Sequence, residues 1–174
     1  VVAGPERRSR IMTDEEKQLV AYHEAGHALV GCLLENTDPI HKVSIIARGM
    51  AKGLTWSLPE DDREMETKSK LEDELAMALG GRAAEALVFD DISSGASSDL
   101  RKVTEIARNM IKQWAMSDTL GQRTFGQKEE LVFLGREIAE QRDYSEEMAA
   151  AIDHEMKALV DRSYNRAKEI IQNH

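Results

Sequence analysis

Apolar residues recur with a helical period over four stretches of this chain. Thr13-Asp-Glu-Glu16 predicts the start of the first. In such a capping box the Thr13 hydroxyl accepts from a free backbone N–H, and Glu16 reaches back to the Thr13 N–H. Leu19, Val20, Leu29, Val30, Leu33 and Leu34 are its apolar positions, and Asn36 to Pro39 stops it. Ser69-x-x-Glu72 predicts a second helix with Leu71, Leu75 and Leu79 on one side; Gly80-Gly81 interrupts the pattern and Arg82 to Val88 resumes it. Asp99 heads a third, carrying Val103, Ile106, Met110, Ile111 and Trp114. Ser145 caps a long fourth, with Met148, Ile152, Met156, Leu159, Val160 and Ala167. The one good β signal is a hairpin: Lys42 to Ala47 is short and β-branched, and Leu54 to Leu58 reads as the return strand, ended by Pro59. Asp90 to Ser98 is a serine-rich loop around Gly95, Ser117 to Gly135 is irregular, and residues 1–12 read as a linker with a basic cluster. The fold class is mainly α, a helical array with a small β-hairpin or sheet.

Composition agrees and narrows the function. Of 174 residues 41% are hydrophobic and only 5% aromatic, which suits one helix-rich domain with a core that needs no staples. The formal net charge is −9, so nucleic acid is not an expected partner. The single cysteine, Cys32, excludes an internal disulfide and a cysteine-based zinc cluster, and reads as core filler. No apolar run approaches the ~18 residues of a membrane span, and no signal-peptide pattern is present, so a soluble piece is expected. The chain opens on Val rather than Met, which reads as a processed chain or a piece of something longer.

The candidate chemistry lies in the first helix, at His23-Glu24-Ala25-Gly26-His27. Helical residues four apart lie about 40° apart around the axis, so both imidazoles leave one face and can meet one ion. Glu24 is about 100° round from His23, within reach of a water there without being a ligand. Imidazole nitrogens suit Zn²⁺, zinc acidifies water, and a carboxylate in reach can take that proton and pass it to a leaving amine. Gly26 in mid-helix costs about 1 kcal/mol against Ala, which points to close approach of another segment. A third ligand is needed, and the candidates are Glu85, Asp90, Asp91, Asp99, His41 and His154. Asp99 follows the small, flexible serine loop, although an acid at a helix start is also favourable for the dipole alone. Glu85, an acid amid Ala and Leu, is the runner-up; if buried it needs a partner, such as a ligand histidine. His41 and His154 look like surface histidines.

The segments GPERRSR, AYHEAGHALV, HKVSIIARG, LPEDD, GGRAAEAL, SSGASSDL and SYNRAKEII, in that order, resemble the peptidase domain of the FtsH-type ATP-dependent zinc metalloproteases. The resemblance runs from about Gly4 to the C-terminus. It implies His23 and His27 as zinc ligands, Asp99 of the GASSD segment as the third, and Glu24 as catalytic base. Glu85 of GGRAAE then partners a ligand histidine. Ala47 stands where Pro is usual and Ala86 where a second Glu is common; neither touches the metal assignment.

The resemblance further implies one Zn²⁺ per chain, with residues 13–174 forming the metallopeptidase domain and 1–12 the linker from an ATPase domain absent here. No GxxxxGK[ST] occurs, so ATP belongs to that missing domain. The whole protein would carry membrane helices, form a homo-hexamer and degrade unfolded or membrane-extracted proteins at the cytoplasmic face of a bacterial inner membrane, or at an organelle membrane. The strand Lys42 to Ala47, with Val43 and Ile45, would pair with extended substrate by main-chain hydrogen bonds; an ordinary structural hairpin is the other reading. Two rival functions are a ring-forming oligomerisation module with a vestigial metal site and a zinc deacylase of small amides.

Overall fold

The computed structural model describes residues 12–46, 54–57, 65–126 and 143–174. Residues 1–11 of the expected linker, Ala47, the LPEDD segment and residues 127–135 of the irregular stretch lie outside them. The elements are α1 (Asp14–Leu33), β1 (Ile40–Ser44), β2 (Leu54–Ser57), α2 (Lys68–Phe89), α3 (Ser97–Lys112) and α4 (Glu146–Asn173), with a short 3₁₀ turn at Ser94–Ala96 before α3. The mainly α class with a two-stranded antiparallel hairpin is as expected. Among the described residues, no helix is long and apolar enough to cross a membrane.

Local sequence sets most of the boundaries. The capping box is formed: Glu16 N–H donates to Thr13 Oγ1 at 3.1 Å and Thr13 N–H to Glu16 Oε2 at 3.3 Å. Ser145 caps α4 by accepting from Met148 N–H at 3.2 Å. The start of α2 differs from the expected Ser69-x-x-Glu72 box. Thr67 is the cap, accepting from Lys70 N–H at 3.2 Å, which places Ser69 inside the first turn. Gly80-Gly81 does not interrupt α2, because packing carries the helix through both glycines. Likewise α3 begins at Ser97, putting Asp99 in its first turn, and it ends at Lys112, so Trp114 lies beyond it and is exposed. The hairpin strands shift slightly from the expected ones. β1 ends at Ser44, and Ile40 and Lys42 flank an irregularity of register.

α2 is the central helix, buried on two sides. Leu71, Leu75 and Leu79 meet Val103, Ala107, Met110 and Ile111 of α3, Ile152 and Leu159 of α4, and Phe125. On the other side Ala76 and Ala83 join Val30 and Leu34 of α1 and its C-cap, and Ala167 of α4. Each fully buried Leu contributes about 1.5–3 kcal/mol relative to exposure. α1 crosses α2 at Gly26 and Gly80, where a Cβ on Gly26 would lie 2.4 Å from the Gly80 carbonyl oxygen. The close approach that Gly26 implied is therefore with Gly80. Cys32, by contrast, is exposed rather than core filler: it falls on the face of α1 turned away from α2.

Candidate metal centre

His23 and His27 sit on α1, one turn apart, on the face pressed against α2. Both are buried, and α2 settles the orientation of each ring. His23 Nδ1 is 2.7 Å from Glu85 Oε1, and His27 Nδ1 is 2.8 Å from the Met77 carbonyl oxygen. A carboxylate and a carbonyl only accept, so each Nδ1 carries the hydrogen and each Nε2 presents a lone pair; at His27 the 2.8 Å contact to the Met77 carbonyl prevails over the Gly81 N–H, which lies 3.4 Å from the same Nδ1. The two Nε2 atoms lie 3.0 Å apart. Asp99 Oδ2 completes the cluster, 3.1 Å from His23 Nε2 and 3.6 Å from His27 Nε2. The three ligand atoms lie within 4.8 Å of one another.

Three acceptors pointed at one spot repel each other unless a cation lies between them. That donor set, two imidazole nitrogens and one carboxylate oxygen, matches divalent zinc with a coordination position left over. Gly81 keeps the spot clear, because a Cβ there would come 2.6 Å from His23 Nε2 and 2.6 Å from His27 Nε2. Burial pushes the His23 pKa down, but its hydrogen bonds and charge interactions with Asp99 and Glu85 push harder, and the net shift is upward. Burial would raise Asp99, yet its interactions with His23 and His27 push harder and hold it well below the usual carboxylate range.

Asp99 reaches the histidines by a short, well-tied route. α2 ends where Asp90 takes a left-handed conformation (φ 51°), which Asp tolerates better than most residues. The chain doubles back, and Ser93 N–H donates to Glu85 Oε2 at 2.7 Å while Ser93 Oγ donates to Glu85 Oε1 at 3.0 Å. The same Oγ accepts from Gly95 N–H at 3.0 Å, and Arg82 donates to the Ser93 carbonyl at 2.9 Å. Buried Glu85 thus ties the His23 ring to the loop that delivers Asp99. The expected partnership of Glu85 with a candidate ligand histidine is seen directly.

Glu24 is buried beside this cluster, and its Oε2 accepts from Thr55 Oγ1 of β2 at 2.6 Å. The other third-ligand candidates are elsewhere: Asp90, Asp91, His41 and His154 are all exposed, and the close cluster comprises His23, His27 and Asp99. Val43 lies in β1 and Ile45 just past its end, both exposed. Sequence reasoning missed Thr55, Ser93 and the Met77 carbonyl. Ser93 carried a weak signal as a small polar residue in the loop before Asp99; Thr55 and Met77 carried none.

Comparison with known proteins agrees with this geometry. The chain is 56% identical over its whole length to the ATP-dependent zinc metalloprotease FtsH 1 of Sphaerobacter thermophilus, covering 27% of that protein. It is 53% identical over its whole length to the protein of the same name from Thermomicrobium roseum, again covering 27%. Over 99% of the chain it is 53% identical to ATP-dependent zinc metalloprotease FtsH 1 of a Thermoanaerobacter species, covering 28%. It therefore spans just over a quarter of the length of these relatives. The family model of peptidase family M41 matches residues 10–174. With all but its first nine residues inside that match, this chain belongs to peptidase family M41.

Proposed function

We propose that this chain is the peptide-bond-hydrolysing domain of a longer ATP-dependent zinc metalloprotease. The single observation that carries the reading is the convergence of two Nε2 lone pairs and the Asp99 carboxylate on one spot, with a buried carboxylate, Glu24, alongside.

His23, His27 and Asp99 would hold one Zn²⁺. When bound, the ion supplies a Lewis acid that polarises a carbonyl and makes water more acidic. The chain's own residues do the rest. Glu85 and the Met77 carbonyl hold the two rings in the tautomer that leaves Nε2 free. Glu24 takes a proton from the attacking water as its oxygen bonds to the scissile carbonyl carbon. It then gives that proton to the departing nitrogen as the C–N bond breaks. Val43 in β1 and Ile45 just past its end are exposed, and an extended substrate would add along this edge by main-chain hydrogen bonds, so selectivity among side chains would be broad.

Residues 13–174 form this peptidase domain and residues 1–12 the linker to an ATPase domain. The longer protein works as a homo-hexamer on unfolded or membrane-extracted proteins at the cytoplasmic face of a membrane. Support comes from the family match and from relatives named ATP-dependent zinc metalloproteases. An oligomerisation module with a vestigial site is not favoured, because such a module has no use for three converging donors.

Metal analysis and casein degradation on wild type and Glu24→Gln test the reading. The expected result is one zinc per chain in both proteins, with cleavage in the wild type alone. Wild type without zinc, or a fully active Glu24→Gln, overturns it.

A further inference from the structure

We infer that Thr55 is a positioning residue for Glu24, tying the orientation of the proposed base to the seating of the hairpin. The inference rests on the reading of Glu24 as the proton carrier. Thr55 Oγ1 lies 2.6 Å from Glu24 Oε2 and 3.1 Å from the Glu24 carbonyl oxygen. A hydroxyl has one hydrogen, and the shorter contact to the charged acceptor takes it, within the range of a charge-assisted O–H···O⁻ bond. Thr55 therefore sits in the corner between the side chain and main chain of Glu24. A glutamate on a helix has several rotamers to choose from, and this hydroxyl selects one. With Oε2 engaged, Oε1 is the oxygen left to receive a proton.

The hydroxyl comes from the hairpin, not from the helices that hold the ligand residues. Thr55 is the direct cross-strand partner of Val43. Paired residues of an antiparallel ladder project to the same face, so the residue that grips Glu24 and an exposed residue of the proposed substrate strand share one face. A substrate that seats the hairpin also seats the base.

The test uses the metal-loaded full chain with Thr55→Val, which keeps the shape and removes the hydroxyl, and Thr55→Ser, which keeps the hydroxyl. Zinc content and Tm of both stay at wild-type values. Thr55→Val lowers kcat roughly tenfold with KM unchanged, since a misplaced group loses rate rather than binding. Thr55→Ser recovers kcat to within about twofold. Crystal structures supply a readout independent of activity: Glu24 keeps its rotamer in Thr55→Ser and leaves it in Thr55→Val. Wild-type kcat in Thr55→Val, a change confined to KM, an unmoved Glu24, or a Thr55→Ser as slow as Thr55→Val overturns the inference. Glu24→Gln is run alongside. If it cleaves casein, the reading of Glu24 itself has failed; if it is inactive while Thr55→Val is normal, only the role of Thr55 has.

Discussion

Gly26 and Gly80 are in backbone contact across α1 and α2: a Cβ on Gly80 would lie 2.6 Å from the Gly26 carbonyl oxygen. This crossing sets the depth at which α1 presses its histidines onto α2. Alanine gains about 1 kcal/mol over glycine in a helix. Here the obstacle is backbone, which cannot swing aside, and overpacking costs about 1–3 kcal/mol or more. Gly80→Ala is expected to be net destabilising and to weaken metal binding by prising the helices apart. Thermal unfolding and zinc titration check this; an unchanged or raised Tm contradicts it.

Asp99 and Glu85 both touch His23, but from opposite nitrogens, and their removal should differ. Asp99→Ala takes away a proposed ligand and should abolish stoichiometric zinc. Glu85→Ala leaves all three donors and frees the His23 ring, for which a loss of about 10–100-fold in affinity is expected. Competition against a chromophoric chelator separates the two. Full zinc occupancy in Asp99→Ala, with loss in Glu85→Ala, would reverse the assignment.

With His23 as a proposed ligand, protons and metal are expected to compete there. Its pKa in the folded, metal-free chain is raised, since Asp99 and Glu85 outweigh burial. The His23–Asp99 pair therefore stabilises the metal-free fold fully below the unfolded imidazole pKa of about 6.5, and that stability is lost as pH rises through the higher folded value. For metal-free protein, the Tm advantage of wild type over Asp99→Asn should shrink as pH rises from about 6 to 9. Zinc affinity should move the other way, falling as pH drops, because each ion bound must displace the proton. An advantage that grows with pH refutes the assignment of charge.

Asp73 is buried in α2 and accepts from Asn36 N–H at 3.1 Å, Asn36 Nδ2 at 2.9 Å and the Arg166 guanidinium of α4. It clamps the end of α1 and the body of α4 onto α2. Breaking a buried ion pair costs about 3–5 kcal/mol. Arg166 is half exposed and can turn to water, so the lower end of that range is expected for Asp73→Ala. Urea unfolding measures it; a loss under about 0.5 kcal/mol, the level of ordinary surface substitutions, would deny the clamp any role.

His23 and His27 needed only the helical repeat to share a face, and the Thr13 and Ser145 caps needed only their neighbours in sequence. These features depend on spacings of three and four residues, so the amino-acid sequence alone determined them. It also carried the segments that resemble the FtsH-type peptidases, and through them the nomination of Asp99 and Glu85. The folded chain decided everything that depends on one helix meeting another. Gly80-Gly81 looked like an interruption because glycine is a poor helix former; α2 runs straight through because one glycine admits the backbone of α1 and the other clears the ligand spot. Cys32 looked like core filler and lies at the surface, since a composition rule cannot tell which side of a helix is covered; Trp114, counted among the apolar positions of the third helix, lies beyond its end and is exposed. Thr55 met Glu24, and Ser93 met Glu85, only through long-range packing. Hydrogen bonds between distant segments have no periodic trace in the chain, because they arise from the crossing of elements rather than from the repeat within one.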